Sequence, residues 1–298
     1  MITINTDKIL IPIDFSQTSM LAIKHGAFIA QLSKGELVLL HVQKRKYLTH
    51  ILHPVKKFRQ NLPFRRLLDD NLEMLAVYIR QKYGIVVRSL ITLGNVTSEI
   101  AKVADKQKAG LIIMGTQGGD SASNNLFLGS NSYRVLSKSK IPVMTVRNSS
   151  PQYGYSNILL PIDSSSHTRQ KVNSAIQIAD KFASHIHVLG LLGKHENNYK
   201  NKLKIILSQI QKIAREKQLV ATTEIDETTN KAEKTLNYGE SVQADLIVIM
   251  ADERAELSRL MHGTYAHQVI DNSKVPVLCI PPELHPENAE SLRIGGMW

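Results

Sequence analysis

A single cysteine among 298 residues leaves Cys279 with no partner in its own chain. That excludes an intrachain disulfide framework and a cysteine-based zinc site, and it fits a reducing compartment. The setting Val277-Leu278-Cys279-Ile280 has the pattern of a buried strand. Cys279 is therefore read as a structural thiol and not as a nucleophile.

Other absences narrow the function. The segment Met1 to Lys8 has no basic region leading into an apolar stretch, and no later run is long enough to span a bilayer, so a cytoplasmic protein without a membrane partner is expected. No Gly-x-x-x-x-Gly-Lys-Ser/Thr occurs and no Gly-x-Gly-x-x-Gly follows the first apolar run. Neither a P-loop nucleotide triphosphatase nor a dinucleotide dehydrogenase is supported. His185 with His187, and His262 with His267, lack companion ligands at metal spacing, so packed or solvated histidines are favoured over a zinc site.

What is present is repetition. Ile9-Leu10-Ile11-Pro12-Ile13-Asp14-Phe15-Ser16 returns as Ile158-Leu159-Leu160-Pro161-Ile162-Asp163-Ser164-Ser165, and Leu111-Ile112-Ile113-Met114-Gly115 returns as Leu246-Ile247-Val248-Ile249-Met250. A period near half the chain implies two copies of one domain, each long enough for its own core. The expected division is domain one at 1–148, a linker at 149–156 containing Pro151 and Gly154, domain two at 157–284, and a poorly ordered tail from His285.

Within the first copy, apolar runs alternate with helical stripes. Ile9–Ile13 and Leu37–Val42 read as strands buried on both faces, joined by a helix from Ser16 to Leu32 with Ser16 as N-cap and Gly35 as terminator. A second helix, Leu67 to Tyr83, stops at Gly84. The strand Ile85–Leu93 alternates more, as an edge strand does. A helix Val96–Lys108, a strand Leu111–Met114, a helix opening at Ser132–Ser137 and a strand Ile141–Val146 complete the copy. Five strands alternating with four helices make a doubly wound α/β domain, so the chain should hold two tandem Rossmann-like five-stranded parallel sheets flanked by helices.

The copies differ in two places. The first carries a longer connection, Gln43 to Arg66, with Lys44, Arg45, Lys46, Lys56, Lys57, Arg59, Arg65 and Arg66 and no acid. With a net charge of +11 this suggests a polyanionic partner. A solvated basic face is favoured over nucleic acid, because base-reading motifs are missing. The second difference follows the fourth strand. There the first copy has Gly115, Gly118, Gly119 and Gly129 before Ser130, Asn131 and a helix, whereas the second has Ala251, Asp252, Glu253, Arg254 and Glu256 before Gly263-Thr264.

Doubly wound sheets bind ligands beyond the strand ends where strand order reverses. Asp14 and Gly115 should face each other there. Glycines let the backbone approach a phosphate chain, a helix N-terminus offers free N–H groups, and a carboxylate can take a ribose hydroxyl pair. Taken singly, the glycines also suit a plain loop, Asp14 a turn and Ser130 an N-cap.

At these residues both halves resemble the universal stress protein family in a tandem form. The family pattern of Gly, two residues, Gly, nine residues and Gly-Ser is met by Gly115-Thr116-Gln117-Gly118 and Gly129-Ser130, with one extra residue between Gly118 and Gly129. The resemblance implies a stress-response protein whose first domain binds ATP, with or without Mg. Asp14 would lie near the ribose and Val42 would offer its backbone to adenine. Pro12 would lie against the nucleotide with Met114 and Gly115 under it, and Gly118, Gly129, Ser130 and Asn131 would surround the phosphates. It also implies final strands, Pro142–Arg147 and Pro276–Ile280, that pair between domains, and two chains that associate as a dimer.

In the second copy the acids stand where phosphates would go. Weak or no ATP binding is expected there, with Asp163 a turn residue. Three functions stay open: a nucleotide-binding regulatory module, ranked first; a slow ATPase or autokinase, ranked lower for want of an evident general base beyond Asp14 and Asp120; and a nucleotide-free dimeric scaffold.

Overall fold

The computed structural model describes residues 4–43, 61–116, 130–148, 150, 154–165, 168–251 and 264–282, with backbone alone for 61–66 and Ser130. Its apolar runs are strands with no solvent side. Ile9, Leu10 and Ile11 of β1 (Lys8–Pro12) and Leu37 to Leu40 of β2 (Glu36–Gln43) are fully buried. Helices cover both faces of a parallel sheet, which removes the alternation an exposed face would require. Each such side chain contributes about 1.5–3 kcal/mol of burial free energy.

The first half continues with β3 (Val86–Leu93), β4 (Leu111–Gly115) and β5 (Val143–Val146). Its helices are α1 (Gln17–Ser33), α2 (Asn61–Tyr83), α3 (Val96–Gln107) and α4 (Ser130–Lys138). The second half has β6 (Asn157–Ile162), β7 (His185–Leu192), β8 (Ala221–Glu227), β9 (Leu246–Met250) and β10 (Val277–Ile280). Around them run α5 (Gln170–Phe182), α6 (Lys200–Glu216), α7 (Lys231–Ser241) and α8 (Tyr265–Asn272).

The strand order β3-β2-β1-β4-β5 is repeated in reverse as β10-β9-β6-β7-β8, giving one ten-stranded sheet. Within each half the pairing is parallel and β3 lies at an edge, as its alternating pattern implied. At the junction β5 runs antiparallel to β10, with Met144 opposite Leu278 and Val143 opposite Cys279. Cys279 is 1% exposed in this seam.

Local signals place most helix ends. The Ser16 side chain accepts from the Ser19 amide at the start of α1, and Asn95 and Asn230 cap α3 and α7 in the same way. Gly84 ends α2 with φ 65°. The end of α1 departs from expectation. Lys34, not Gly35, takes the left-handed position, with φ 54°. Gly35 is needed for another reason: a Cβ there would collide with the Thr6 carbonyl oxygen. Helix α2 also starts earlier than expected, at Asn61 rather than Leu67, so Arg65 and Arg66 belong to it. The rest of the basic connection, Lys44 to Arg59, and the tail from His285 lie outside the described residues.

The stretch between the halves is anchored. Tyr155 is 1% exposed; its hydroxyl lies 2.9 Å from His25 Nδ1 and 3.4 Å from Met144 Sδ. His25 Nε2 lies 3.4 Å from the Ser150 carbonyl, and the Tyr155 ring meets Phe182 edge-on at 5.0 Å. Helix α1 of the first half and α5 of the second thus close over one tyrosine.

Candidate functional site

Strand order reverses between β1 and β4, which pair through Ile9–Leu111 and Leu10–Ile112. The crevice beyond their C-terminal ends is lined by residues joined in a chain of contacts. Asp14 Oδ1 accepts from the Ser16 amide at 3.0 Å and the Ser16 hydroxyl at 2.5 Å. Ser16 Oγ lies 3.1 Å from Thr18 Oγ1. Thr18 in turn rests on Gly115, where an added Cβ would fall 2.6 Å from the threonine Cβ and Oγ1. Only glycine at 115 lets the N-terminus of α1 come this close. Ser132 Oγ then donates to the Gly115 carbonyl at 2.9 Å, tying the first turn of α4 to the end of β4.

The structure therefore brings together Asp14, Gly115 and the start of α4. Ser130 is the first residue of α4 and Asn131, half-buried, the second. Gly118 and Gly129 lie outside the described residues. Met114, 5% exposed, and Val42 belong to one apolar cluster with Val96 at the start of α3, and half-buried Pro12 ends β1. An apolar wall beside an exposed carboxylate and a helix N-terminus can take a flat base, a diol and an anion, in that order.

Sequence reasoning missed Phe15 and His41. Phe15 has φ 63°, a left-handed conformation sterically costly for a bulky residue. Its ring lies 5.4 Å from that of His41, whose Nδ1 donates to the Ile13 carbonyl at 2.8 Å. Thr18 and Val96 were also missed as parts of the site. A signal was available in the repeat: Phe15 corresponds to Ser164 and His41 to Gly190, so both change where the second copy departs from the first.

The matching crevice of the second half is built differently. Asp163 Oδ1 accepts from the Ser165 amide and hydroxyl at 3.2 and 2.8 Å, the turn role expected of it. It is also ion-paired. Lys231 Nζ stands 3.6 Å from Asp163 Oδ2 and 3.3 Å from Glu196 Oε2, and Glu196 accepts from Ser164 Oγ at 2.5 Å. Burial pushes the Asp163 carboxyl upward, but the Ser165 hydrogen bonds with Lys171 and Lys231 outweigh it and hold the group below its usual value. Lys171, 4% exposed, is drawn down to about 8 by burial against the opposing pull of Asp163.

Sheet register agrees with the sequence repeat at the end of the fourth strand of each half. Ile112 pairs with Val143 and Gly115 with Val146; correspondingly Ile247 pairs with Val277 and Met250 with Ile280. Met250 thus stands in the place of Gly115, as the repeated segment has it. Lys231 likewise stands where α3 begins with Val96, each following its asparagine cap. Arg254 and the acids after Ala251 lie outside the described residues.

The histidines with no partner in the sequence pattern are packed among neighbours. His185 and His187 stack at 4.0 Å; His187 Nε2 is 3.1 Å from Asn157 Oδ1, and His185 Nε2 is 3.2 Å from Thr222 Oγ1. His267 pairs with Asp271 at 3.2 Å, and His262 lies outside the described residues. Among the described residues no group of three metal-ligating side chains occurs, and no helix is long and apolar enough to cross a membrane.

Two doubly wound α/β halves, each with a switch point between its first and fourth strands, define a duplicated α/β protein. The universal stress protein family model matches residues 5–147 and again 154–281. The chain belongs to the universal stress protein family, in tandem form. One universal stress protein of Methanocaldococcus jannaschii is 30% identical over 155 residues, covering 47% of this chain and 94% of that protein. A second from the same organism is 28% identical over 142 residues, covering 47% of this chain and 81% of that protein. A solved universal stress protein from Archaeoglobus fulgidus superposes with a TM-score of 0.73 over 93% of this chain and 99% of its own, at 19% identity, a likeness of fold.

Proposed function

We propose that this is a stress-response regulatory protein that binds ATP through its first domain, with a degenerate second domain that serves pairing or regulation. The observation that carries the reading is the contrast between the two crevices. In the first, Asp14 is exposed and, among the described residues, pairs with no cation. Gly115 lets Thr18 and the N-terminus of α1 close against the end of β4, and Val42, Val96 and Met114 supply an apolar wall. In the second, Lys231 bridges Asp163 and Glu196 across the same space.

Pro12, Asp14, Val42, Met114 and Gly115 are the proposed adenosine contacts, and Gly118, Gly129, Ser130 and Asn131 the proposed phosphate contacts, with Mg as a candidate companion. The domain limits 1–148 and 157–284 belong to the same reading, as do a cytoplasmic setting, which the buried thiol of Cys279 supports, and association of two chains. Binding ranks above catalysis because no group of three metal-ligating side chains forms around Asp14 among the described residues.

The test begins with heat denaturation of purified protein and chromatography of the released small molecules. An adenine nucleotide in the supernatant supports the reading. Its absence, together with no binding at millimolar ATP, refutes it and leaves the nucleotide-free scaffold. Incubation with γ-labelled ATP separates a binder from an enzyme, since label on the protein or released phosphate above buffer levels marks turnover.

A further inference from the structure

Asp14 is flanked by a residue in a costly conformation, and one side chain reaches both of its neighbours. Phe15 holds φ 63°, which a bulky side chain keeps only when its surroundings enforce it. Its ring tilts against His41 at 5.4 Å and 43°. His41 Nδ1 lies 2.8 Å from the Ile13 carbonyl. A carbonyl only accepts, so Nδ1 carries the hydrogen. From β2, His41 thus grips the residue before Asp14 through a hydrogen bond and the residue after it through ring contact. Both hydrogen bonds from Ser16 fall on Oδ1, which leaves Oδ2 open among the described residues.

The second half is an internal control. Ser164, in the place of Phe15, has no positive φ, and its hydroxyl turns to Glu196. Gly190, in the place of His41, lies under Leu203 and Leu207 of α6, 3.0 and 3.1 Å from where its Cβ would be. Both parts of the brace are missing in the copy whose aspartate is tied to Lys231.

We propose that His41 and Phe15 brace the Asp14 carboxylate so that its open oxygen meets the vicinal hydroxyls of a ribose, His41 acting as a positioning residue. The proposal rests on the ATP reading. It predicts a defect specific to the sugar, which a general loss of folding would not produce.

The experiment compares calorimetric affinities for ATP and 2′,3′-dideoxy-ATP in the unaltered chain, His41→Ala, His41→Asn and Phe15→Ala, with circular dichroism confirming fold. ATP affinity is expected to fall about ten-fold in His41→Ala, the loss of one charge-assisted contact, while the dideoxy analogue changes less than about two-fold. His41→Asn, which keeps a donor near the Nδ1 position, is expected to recover most of the loss. Should His41→Ala misfold, Phe15→Ala carries the same comparison, because that side chain is 41% exposed. Equal losses for both nucleotides, or none, overturn the brace while leaving ATP binding intact. Failure of the unaltered chain to bind either nucleotide overturns the ATP reading and this proposal with it.

Discussion

Acidification from pH 7 to pH 5 is expected to loosen the join between the two halves through His25. The ring is 0% exposed, wedged between Tyr155 and the Ser150 carbonyl. Burial lowers its pKa from 6.5 to about 4, against the smaller opposing effect of the Ser150 bond. In the unfolded chain the imidazole takes its proton near 6.5; in the folded protein it resists until about 4. Between these values the unfolded state binds more protons, so stability falls as pH falls. The contribution is full above pH 6.5, lost progressively down to about 4, and constant below. A shift of this size corresponds to about 3 kcal/mol in all, of which about 2 kcal/mol is gone by pH 5.

Urea titrations at pH 7 and pH 5 on the unaltered chain and His25→Gln read this directly. Carboxylates titrating in the same window act on both proteins, so the informative quantity is the difference in pH dependence. The unaltered chain should lose about 2 kcal/mol more than the variant. Parallel pH profiles would refute the assignment of acid sensitivity to His25.

Three further perturbations follow from the packing. Tyr155→Ala empties a site enclosed by Phe28, Phe182, His25 and Met144, and a cost of about 3–5 kcal/mol is expected from denaturant melts. Lys231→Ala frees Asp163 and Glu196 from a pair whose members are 26% to 31% exposed, so solvent screening limits its stability cost to about 1 kcal/mol. Its clearer readout is an upward move of the Asp163 titration by NMR. Gly35→Ala meets the Thr6 carbonyl and costs several times the loss from Gly84→Ala, where a Cβ finds open space and only the left-handed backbone resists; comparing their melting temperatures separates collision from conformation.

The fold was legible wherever local chemistry decided it. Fully buried strands left uninterrupted apolar runs, Ser16 announced the start of α1, and Gly84 the end of α2. Local reading failed where a residue serves a distant one. Gly35 looked like the helix terminator, yet its smallness answers to Thr6 and the left-handed position went to Lys34. Tyr155 sat in a polar stretch that reads as surface, and its burial depends on His25 in α1.

The candidate site shows the same division. Asp14 and Gly115 could be named because a strand end and a glycine are written in order along the chain. The Phe15–His41 contact could not, since neighbouring strands bring those rings together. Lys231 reaches Asp163 and Glu196 only through the winding of the sheet.

The central claim is asymmetry between two similar crevices, and one calorimetric titration tests it most directly. ATP is titrated into the unaltered chain, Asp14→Asn and Asp163→Asn. One site per chain, weakened by the change at Asp14 and untouched by that at Asp163, is the expected result. Two sites per chain, or equal weakening by both changes, would contradict it.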